Sequence, residues 1–171
     1  MSWKEKQFEE KMQPFINDIY NNIFSNLINI DRSKRDNNKD YKKLFLDKEL
    51  GIDTVLTFKD GSIITIQEKT RKFNFAAYND FTFEYYNDPK IKDKGEWFKL
   101  ASQFYFYGYA NEDENGYLKY WFINVGLLRL ELNKINLLKY LKANRPPAKA
   151  NFYAIPFNLL EKFNNVVFIK K

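Results

Sequence analysis

The feature that most constrains this chain is a β-hairpin pattern near the end of its first third. Two segments rich in β-branched residues, 52–58 and 63–69, flank the turn sequence Lys59-Asp60-Gly61. Segments of this composition favour extended strands, and an Asp-Gly pair between two such segments is a strong local signal for a turn. The sequence therefore predicts two antiparallel strands that are joined at this turn.

Two registers of the hairpin are compatible with this turn. A two-residue Asp-Gly turn would pair Val55 with Ile66, whereas a three-residue loop with Gly61 in the left-handed conformation would pair Thr54 with Ile66. Residues that oppose each other share a face of the sheet, and a shift by one residue reverses the faces. We favour the second register because it gathers the apolar side chains on one surface, namely Leu56, Phe58, Ile64 and Ile66.

The favoured register also brings polar residues together at one rim of the hairpin. It places Asp53 opposite Gln67, and strand alternation then puts Lys69 on the same face and Glu68 on the other. An acid, an amide and an amine at one rim form either a solvated edge or a functional site.

The remaining patterns predict a mixture of helices and strands. Apolar residues at helical spacing predict an amphipathic helix over 3–30, which Pro14 is expected to kink or divide. The other predicted elements are a short helix or irregular segment at 41–50, a strand at 80–86, a helix at 96–110 that Gly108 helps to end, a strand at 117–125, a helix at 127–142 stopped by the sequence 144–147, and short elements at 151–155, 156–163 and 166–170. We predict one domain over 1–171, of mixed α/β class, with a central mixed sheet flanked by helices and the hairpin at its middle.

The amino-acid composition narrows the possible chemistry. The chain has no Cys and no His, which excludes disulfides, the usual zinc sites, thiol nucleophiles and every His-based acid–base mechanism. An enzyme of this composition depends on carboxylates, amides, Lys, Tyr, Ser or Thr, or on a metal with oxygen ligands. Mg²⁺ and Mn²⁺ are the metals that suit such ligands.

Charge and hydropathy give weaker indications of partners and location. The net charge of +6 favours polyanionic partners such as nucleic acid. The first residues lack the apolar core of a signal peptide, and no apolar run reaches the length of a membrane span. We therefore expect a cytoplasmic protein without membrane association, and the charge is compatible with nucleic acid as a partner.

The hairpin residues and the predicted order of elements together resemble the PD-(D/E)XK nuclease superfamily, which has a restriction-endonuclease-like fold. In this resemblance Asp53 corresponds to the family Asp, and Gln67-Glu68-Lys69 corresponds to the acid-x-Lys motif. The sequence "QFYFY" matches the Q-x-x-x-Y helix of the RecB-type branch through Gln103 and Tyr107. The family core of order αβββαβ would cover residues 3–125, and 126–171 would add a C-terminal helix and strands.

The resemblance implies a metal-dependent nuclease that hydrolyses phosphodiester bonds of DNA, of the kind that phages and mobile elements carry. Asp53, the side-chain oxygen of Gln67 and the main-chain carbonyl of Glu68 would hold Mg²⁺ or Mn²⁺, and Lys69 would orient the attacking water or stabilise charge in the transition state. Glu9 is a candidate for an additional metal ligand from the first helix, or a charge at the rim of that helix. Substrate contacts would come from Gln103, Tyr107, Arg71 and Lys72.

One departure from the family pattern keeps other functions open. Gln67 stands where the family usually has an acid, and a neutral amide holds a metal less tightly than a carboxylate. The chain could therefore be a non-catalytic nucleic-acid-binding module that retains the nuclease fold. A protein-interaction role for its many aromatic residues is a further alternative, and the sequence does not decide whether the chain forms a homodimer.

Overall fold

The structure is a computed structural model that describes residues 3–32, 41–144 and 148–171. Its helices are α1 (Trp3–Ile23), α2 (Tyr41–Leu50), α3 (Glu96–Lys99), α4 (Val125–Leu132) and α5 (Phe157–Leu160), with 3₁₀ turns at Phe73–Tyr78 and Leu137–Tyr140. Its strands are β1 (Leu27–Arg32), β2 (Thr54–Phe58), β3 (Ile63–Arg71), β4 (Asp80–Asp88), β5 (Asp93–Lys94), β6 (Phe104–Ala110), β7 (Tyr117–Asn124), β8 (Leu141–Ala143), β9 (Asn151–Pro156) and β10 (Val167–Lys170). Across these described ranges, no helix is long and apolar enough to cross a membrane.

The strands form two sheets, and the larger one confirms the predicted mixed α/β class. The central sheet has six strands in the order β1-β2-β3-β6-β7-β10, and the second has four strands in the order β5-β4-β9-β8. Strands β3 and β6 are parallel, while the other neighbours in the central sheet are antiparallel. The predicted hairpin is therefore an internal part of a mixed sheet, and its second strand, β3, belongs to the parallel pair.

The two faces of the central sheet are buried by different elements. Helix α1 covers one face, where Ile16 and Tyr20 pack against Leu56, Ile66 and Phe106. The second sheet covers the other face through an aromatic core that includes Phe81, Phe83, Tyr105, Tyr107, Trp121 and Phe157. We call these two surfaces the helix face and the inner face. Side chains that alternate along β3 consequently enter two different environments.

The predicted hairpin register is confirmed. Thr54 lies opposite Ile66 and Leu56 lies opposite Ile64. Gly61 has φ +82°, as the three-residue loop requires, because a left-handed residue in this turn favours glycine. The Asp60 carboxylate accepts hydrogen bonds from the backbone N–H and the hydroxyl of Ser62, at 2.9 and 2.6 Å. The turn thus fixes which side chains of β3 reach the inner face.

The predicted helix over 3–30 is wrong in its last quarter. Helix α1 ends at Ile23, and the chain returns as β1, which pairs antiparallel with β2. Pro14 lies inside α1 without ending it. Segment 41–50 is helical as α2, which was one of its two predicted alternatives. Residues 27–32 pair with the edge of β2, and this pairing outweighs the helical spacing of their apolar side chains.

The predicted helices over 96–110 and 127–142 are also wrong. Only Glu96–Lys99 is helical in the first range, and 104–110 forms strand β6. The second range divides into α4, a 3₁₀ turn and strand β8. The sequence 144–147 was predicted to stop this helix, and residues 145–147 lie outside the described residues. The end of the chain agrees better with the predictions, since α5 and β10 fall within their predicted elements and β9 exceeds its own by one residue.

Gly108 has a packing role in place of the predicted helix-ending role. It lies within β6, and a Cβ atom at this position would sit 2.5 Å from two ring carbons of Tyr117. The Tyr117 hydroxyl shares a hydrogen bond of 2.7 Å with the Thr70 side chain on β3. The absence of a side chain at Gly108 therefore lets the Tyr117 ring cross β6 and reach β3.

We expect Gly108→Ala to lower the free energy of unfolding by about 1–3 kcal/mol, because the added methyl group must displace the Tyr117 ring. Gly116→Ala is the matched control, since its Cβ atom would meet nothing closer than 3.6 Å. Urea unfolding of both variants measures the difference. In the double variant Gly108→Ala/Tyr117→Ala the two effects should be strongly non-additive, and full additivity would show that Gly108 has another role.

Candidate active site

Asp53 is held at the start of β2 by bonds to β3. Its backbone N–H donates to the Ile66 carbonyl at 2.9 Å. Its carboxylate oxygen Oδ2 accepts hydrogen bonds from the Gln67 side-chain Nε2 at 2.6 Å and from the Glu68 backbone N–H at 2.9 Å. The preceding bend contains Gly51 with φ +55°, which turns the chain from α2 into β2. The carboxylate is thereby fixed against the middle of β3.

Gln67 is the buried partner of this carboxylate. Its side chain is 8% exposed, and its oxygen Oε1 is buried without a hydrogen-bond partner. Nε2 must point towards Asp53, because an amide oxygen at 2.6 Å from a carboxylate oxygen would repel it. Oε1 consequently faces the Gly51 backbone, where a Cβ atom would lie 3.5 Å away. A buried, unpaired amide oxygen costs free energy, and such groups are unusual in folded proteins.

Lys69 lies on the same inner face, two residues beyond Gln67. Its ammonium group donates to the Thr82 carbonyl of β4 at 3.2 Å and lies 3.7 Å from the Glu96 carboxylate. The predicted placement of Asp53, Gln67 and Lys69 on one face thus agrees with the register of β2 and β3. The ammonium group contacts Glu96, which the predicted site did not include.

Glu96 and Tyr105 complete this part of the inner face. The Tyr105 hydroxyl donates to Glu96 Oε1 at 2.5 Å. Burial raises the pKa of Tyr105 well above its usual value, and the negative charges of Glu96 and Asp53 raise it further. Tyr105 is therefore a neutral hydrogen-bond donor rather than a base. Glu96 follows Gly95 and is the first residue of α3. In the sequence, only its acidic side chain at the start of "EWFK" could have indicated that it belongs to the site.

The Glu68 side chain lies on the helix face, as strand alternation predicts. Its carboxylate accepts hydrogen bonds from Tyr20, Thr54 and two nitrogens of Arg32, at distances of 2.8–3.2 Å. Arg32 also donates to the side chain of Asn17. Only the main-chain carbonyl of Glu68 was predicted as a metal ligand, and that role stays a prediction. The side chain joins α1, β1, β2 and β3 in one buried polar cluster.

Glu9 does not join the inner-face residues. Its negative charge acts on Tyr117, which packs with Phe8 and Met12 of α1 on the helix face. The prediction that Glu9 supplies a metal ligand beside Asp53 is wrong in this structure, because α1 packs on the opposite side of the sheet.

The predicted Q-x-x-x-Y helix is wrong as well. Gln103 precedes strand β6, and its side-chain oxygen accepts from the Thr65 backbone N–H at 2.9 Å. Tyr107 lies within β6, is fully buried and shares a hydrogen bond of 2.9 Å with the Thr82 hydroxyl. Four residues of extended strand span about 13 Å, so the two side chains are far apart. Tyr107 therefore packs in the core, and the two residues do not form the helical pair of the predicted motif. A substrate contact from the exposed Gln103 stays a prediction.

The two predicted basic contacts separate at the end of β3. Arg71 donates to the Thr82 hydroxyl at 3.0 Å on the inner face, and its guanidinium lies 4.4 Å from the centre of the Phe75 ring. The ammonium group of Lys72 lies 5.2 Å from the ring centre of Phe8 in α1. Arg71 is therefore the one that lies near Lys69, and a substrate role for either stays a prediction.

The side-chain oxygens of Asp53 and Gln67 suit a hard divalent cation, but few carboxylates lie close enough together to bind one. Within 3–32, 41–144 and 148–171, no group of three or more acidic residues is arranged to hold a metal ion. A carboxylate, an amide oxygen and a main-chain carbonyl are nevertheless ligand types that Mg²⁺ and Mn²⁺ accept. The unpartnered Oε1 of Gln67 is the structural observation that fits such a ligand set.

The sequence of this chain is not similar to a known protein family or a curated protein at the level of the two comparisons made. No protein-family model matches this chain, and no curated protein matches its sequence.

Proposed function

We propose that this protein is a metal-dependent nuclease that hydrolyses phosphodiester bonds of DNA in the cytoplasm. The observation that carries the proposal is the contact between Asp53 and Gln67 across the hairpin, with Lys69 on the same face. This arrangement supports the resemblance to the PD-(D/E)XK superfamily at the residues of its motif. The predicted core differs from the structure, since strand β4 lies in the second sheet and only the four-residue α3 stands where the second core helix was expected. The part of the element order that supports the proposal is α1, the antiparallel strands β1 to β3 and the later strand β6 parallel to β3.

Each residue of the site has a distinct role in this proposal. Asp53, the amide oxygen of Gln67 and the Glu68 main-chain carbonyl would hold Mg²⁺ or Mn²⁺. The cation would supply acidity to a bound water and neutralise charge on the phosphate. Lys69 would supply a positive charge close to the phosphate oxygens on which negative charge develops. Glu96 lies 3.7 Å from the ammonium group of Lys69 and fixes its direction.

Gln67 explains how this site folds in the absence of a cation. The amide N–H donates to the Asp53 carboxylate and so supplies the partner that a half-buried carboxylate needs. Shared binding of a cation by both side chains requires this hydrogen bond to break and the amide oxygen to turn towards Asp53. Because breaking this hydrogen bond costs free energy, we expect the metal to bind more weakly here than at a site with two carboxylates.

We expect Gln67→Glu to make the stability of the protein depend on divalent cations. Without metal, two carboxylates replace a hydrogen bond of 2.6 Å, and their repulsion should lower the melting temperature. The pKa of one carboxyl should rise, so stability should be regained as the pH falls and the pair binds a shared proton. Addition of Mn²⁺ at neutral pH should also restore stability, and thermal unfolding measures both effects.

The control for this variant is Gln103→Glu, since Gln103 lies away from Asp53 and contacts the backbone of Thr65. Its stability should respond little to Mn²⁺. In cleavage assays Gln67→Glu should match or exceed the wild-type rate, because the added carboxylate improves the metal site. A Gln67→Glu variant whose stability ignores Mn²⁺ would count against metal binding at this pair.

The second candidate function is a nucleic-acid-binding module without cleavage. The specific observation in its favour is that Gln67 already satisfies Asp53 without a cation. The net charge of +6 suits both candidates equally. The module predicts DNA binding without cleavage in Mg²⁺ or Mn²⁺, and no gain of cleavage in Gln67→Glu.

A further inference from the structure

An exposed aromatic turn directly follows the strand that carries Gln67 and Lys69. The 3₁₀ turn Phe73–Tyr78, which we call the aromatic turn, begins two residues after the end of β3. Phe73 is 41% exposed and Tyr78 is 66% exposed. Single exposed aromatic residues are common on this chain, and Phe45 is 54% exposed, so exposure alone does not mark a site. The position of the turn at the end of β3 distinguishes it from the others.

The aromatic turn is held in a fixed conformation. The Arg71 guanidinium covers Phe75 at 4.4 Å from the ring centre, and Ala76 is buried in the aromatic core. Lys119 of β7 donates to the Ala76 carbonyl at 2.9 Å and to the Asn79 side-chain oxygen at 2.7 Å. Asn79, with φ 49°, ends the turn. The exposed rings are therefore presented by an anchored segment.

Cationic side chains lie at the aromatic turn. Arg71 stacks on Phe75 and Lys119 donates to the turn, while Lys72 precedes the turn in sequence with its ammonium group over Phe8 of α1. Asp80, at the start of β4, is the acid next to the turn in sequence. Burial raises the pKa of Asp80, although the nearby Arg71 opposes that rise. The acidic hairpin that joins β6 to β7 instead contacts α1, through the ion pair of Glu114 with Lys11. Charge at the turn thus complements a polyanion.

We propose that the aromatic turn is a stacking platform for the bases of single-stranded DNA. Bases of an unpaired strand can stack on exposed aromatic rings while neighbouring cations contact the phosphates. In a duplex the base faces are already stacked on each other, so such rings find no partner. The reason to infer nucleic acid rather than a protein partner is the combination of exposed rings with the cations of Arg71 and Lys119, which contact the turn.

The position of the turn connects it to the candidate active site. Four residues of extended strand separate Lys69 from Phe73, a distance of about 13 Å. One bound strand could therefore contact the turn and the Lys69 region together. This step rests on the proposed nuclease function, and it names unpaired DNA as the preferred substrate.

Fluorescence anisotropy in EDTA tests the platform without cleavage. The probes are a labelled oligothymidine of about 20 nucleotides, longer than the common single-strand sites of about 4–16 nucleotides, and a duplex of equal length. Tyr78→Ala and Phe73→Ala should each weaken single-strand binding about tenfold, while Tyr78→Phe retains it. Phe45→Ala is the matched control, because Phe45 is a 54% exposed aromatic residue on α2. It should bind as the wild type does.

Several outcomes would overturn the platform. These are unchanged single-strand binding by Tyr78→Ala, an equal loss in Phe45→Ala, an equal loss of duplex binding, or no single-strand binding by the wild type. Failure of the nuclease proposal gives a different result. In that case single-strand binding still depends on Tyr78, but the wild type cuts no DNA or Asp53→Ala cuts at the wild-type rate.

Discussion

Asp53→Ala and Lys69→Ala are each expected to reduce metal-supported DNA cleavage by about 10²–10⁴-fold. The two losses should have different causes. Asp53 supplies the carboxylate on which the Gln67 amide and the Glu68 N–H converge, so its removal should also abolish binding of Mn²⁺. Lys69 contacts Glu96 and the Thr82 carbonyl, so Lys69→Ala should retain Mn²⁺ binding while it loses cleavage.

Calorimetric titration with Mn²⁺ and a cleavage time course separate these two roles. Lys134→Ala is the matched control for Lys69→Ala, because Lys134 is 65% exposed and pairs only with Glu131 on the surface among the described ion pairs. It should cleave at the wild-type rate. Cleavage that persists in both Asp53→Ala and Lys69→Ala would assign the activity to another site or to a contaminant.

Glu68→Ala should produce the largest loss of stability, of about 3–5 kcal/mol, and should leave the metal site intact. Its carboxylate and the Arg32 guanidinium are 11% and 12% exposed, and they pair on the helix face. Removing one partner of a buried ion pair leaves the other charge uncompensated in the interior. The Tyr20 and Thr54 hydroxyls would lose their acceptor at the same time. Urea unfolding measures the change.

The control for Glu68→Ala is Glu114→Ala, which breaks an ion pair whose members are 30% and 52% exposed. That variant should lose at most about 1 kcal/mol, as is usual for surface pairs. Loss of Mn²⁺ binding in folded Glu68→Ala would contradict the structure. It would mean that the Glu68 side chain faces the metal, and therefore that β3 is rotated relative to this register.

The hairpin was predictable because its information is local. The turn sequence allows two registers, and the positions of the apolar residues along β2 and β3 select one of them. That register alone places Asp53 opposite Gln67. The same alternation assigns Glu68 to the other face, where it lies. When the two faces of a strand meet different environments, the order of apolar and polar side chains along the strand determines its pairing register.

Strand β6 was not predictable as a strand for the opposite reason. Six of its seven residues are buried, because α1 covers one face of the sheet and the second sheet covers the other. A strand that is buried on both faces has no polar alternation and reads like a buried helix. The incorrect helix then suggested that Gln103 and Tyr107 were neighbours.

The remaining parts of the site depend on contacts between distant segments. Glu96 approaches Lys69 from α3, after the chain has passed through the aromatic turn, β4 and β5. The placement of Glu9 depends on which face of the sheet α1 covers, and helical periodicity gives no information on that choice. Such contacts follow from how the elements pack, which no local pattern in the sequence specifies.

The most direct test of the central claim is a cleavage panel with the wild-type protein and Asp53→Ala, purified in parallel. Single-stranded, duplex and branched DNA would each be incubated in Mg²⁺, Mn²⁺ or EDTA. The nuclease proposal predicts that the wild type cuts at least one of these substrates in Mg²⁺ or Mn²⁺ but not in EDTA, and that Asp53→Ala does not cut. DNA that stays intact with the wild type in both metals, or equal cleavage by both proteins, would contradict it.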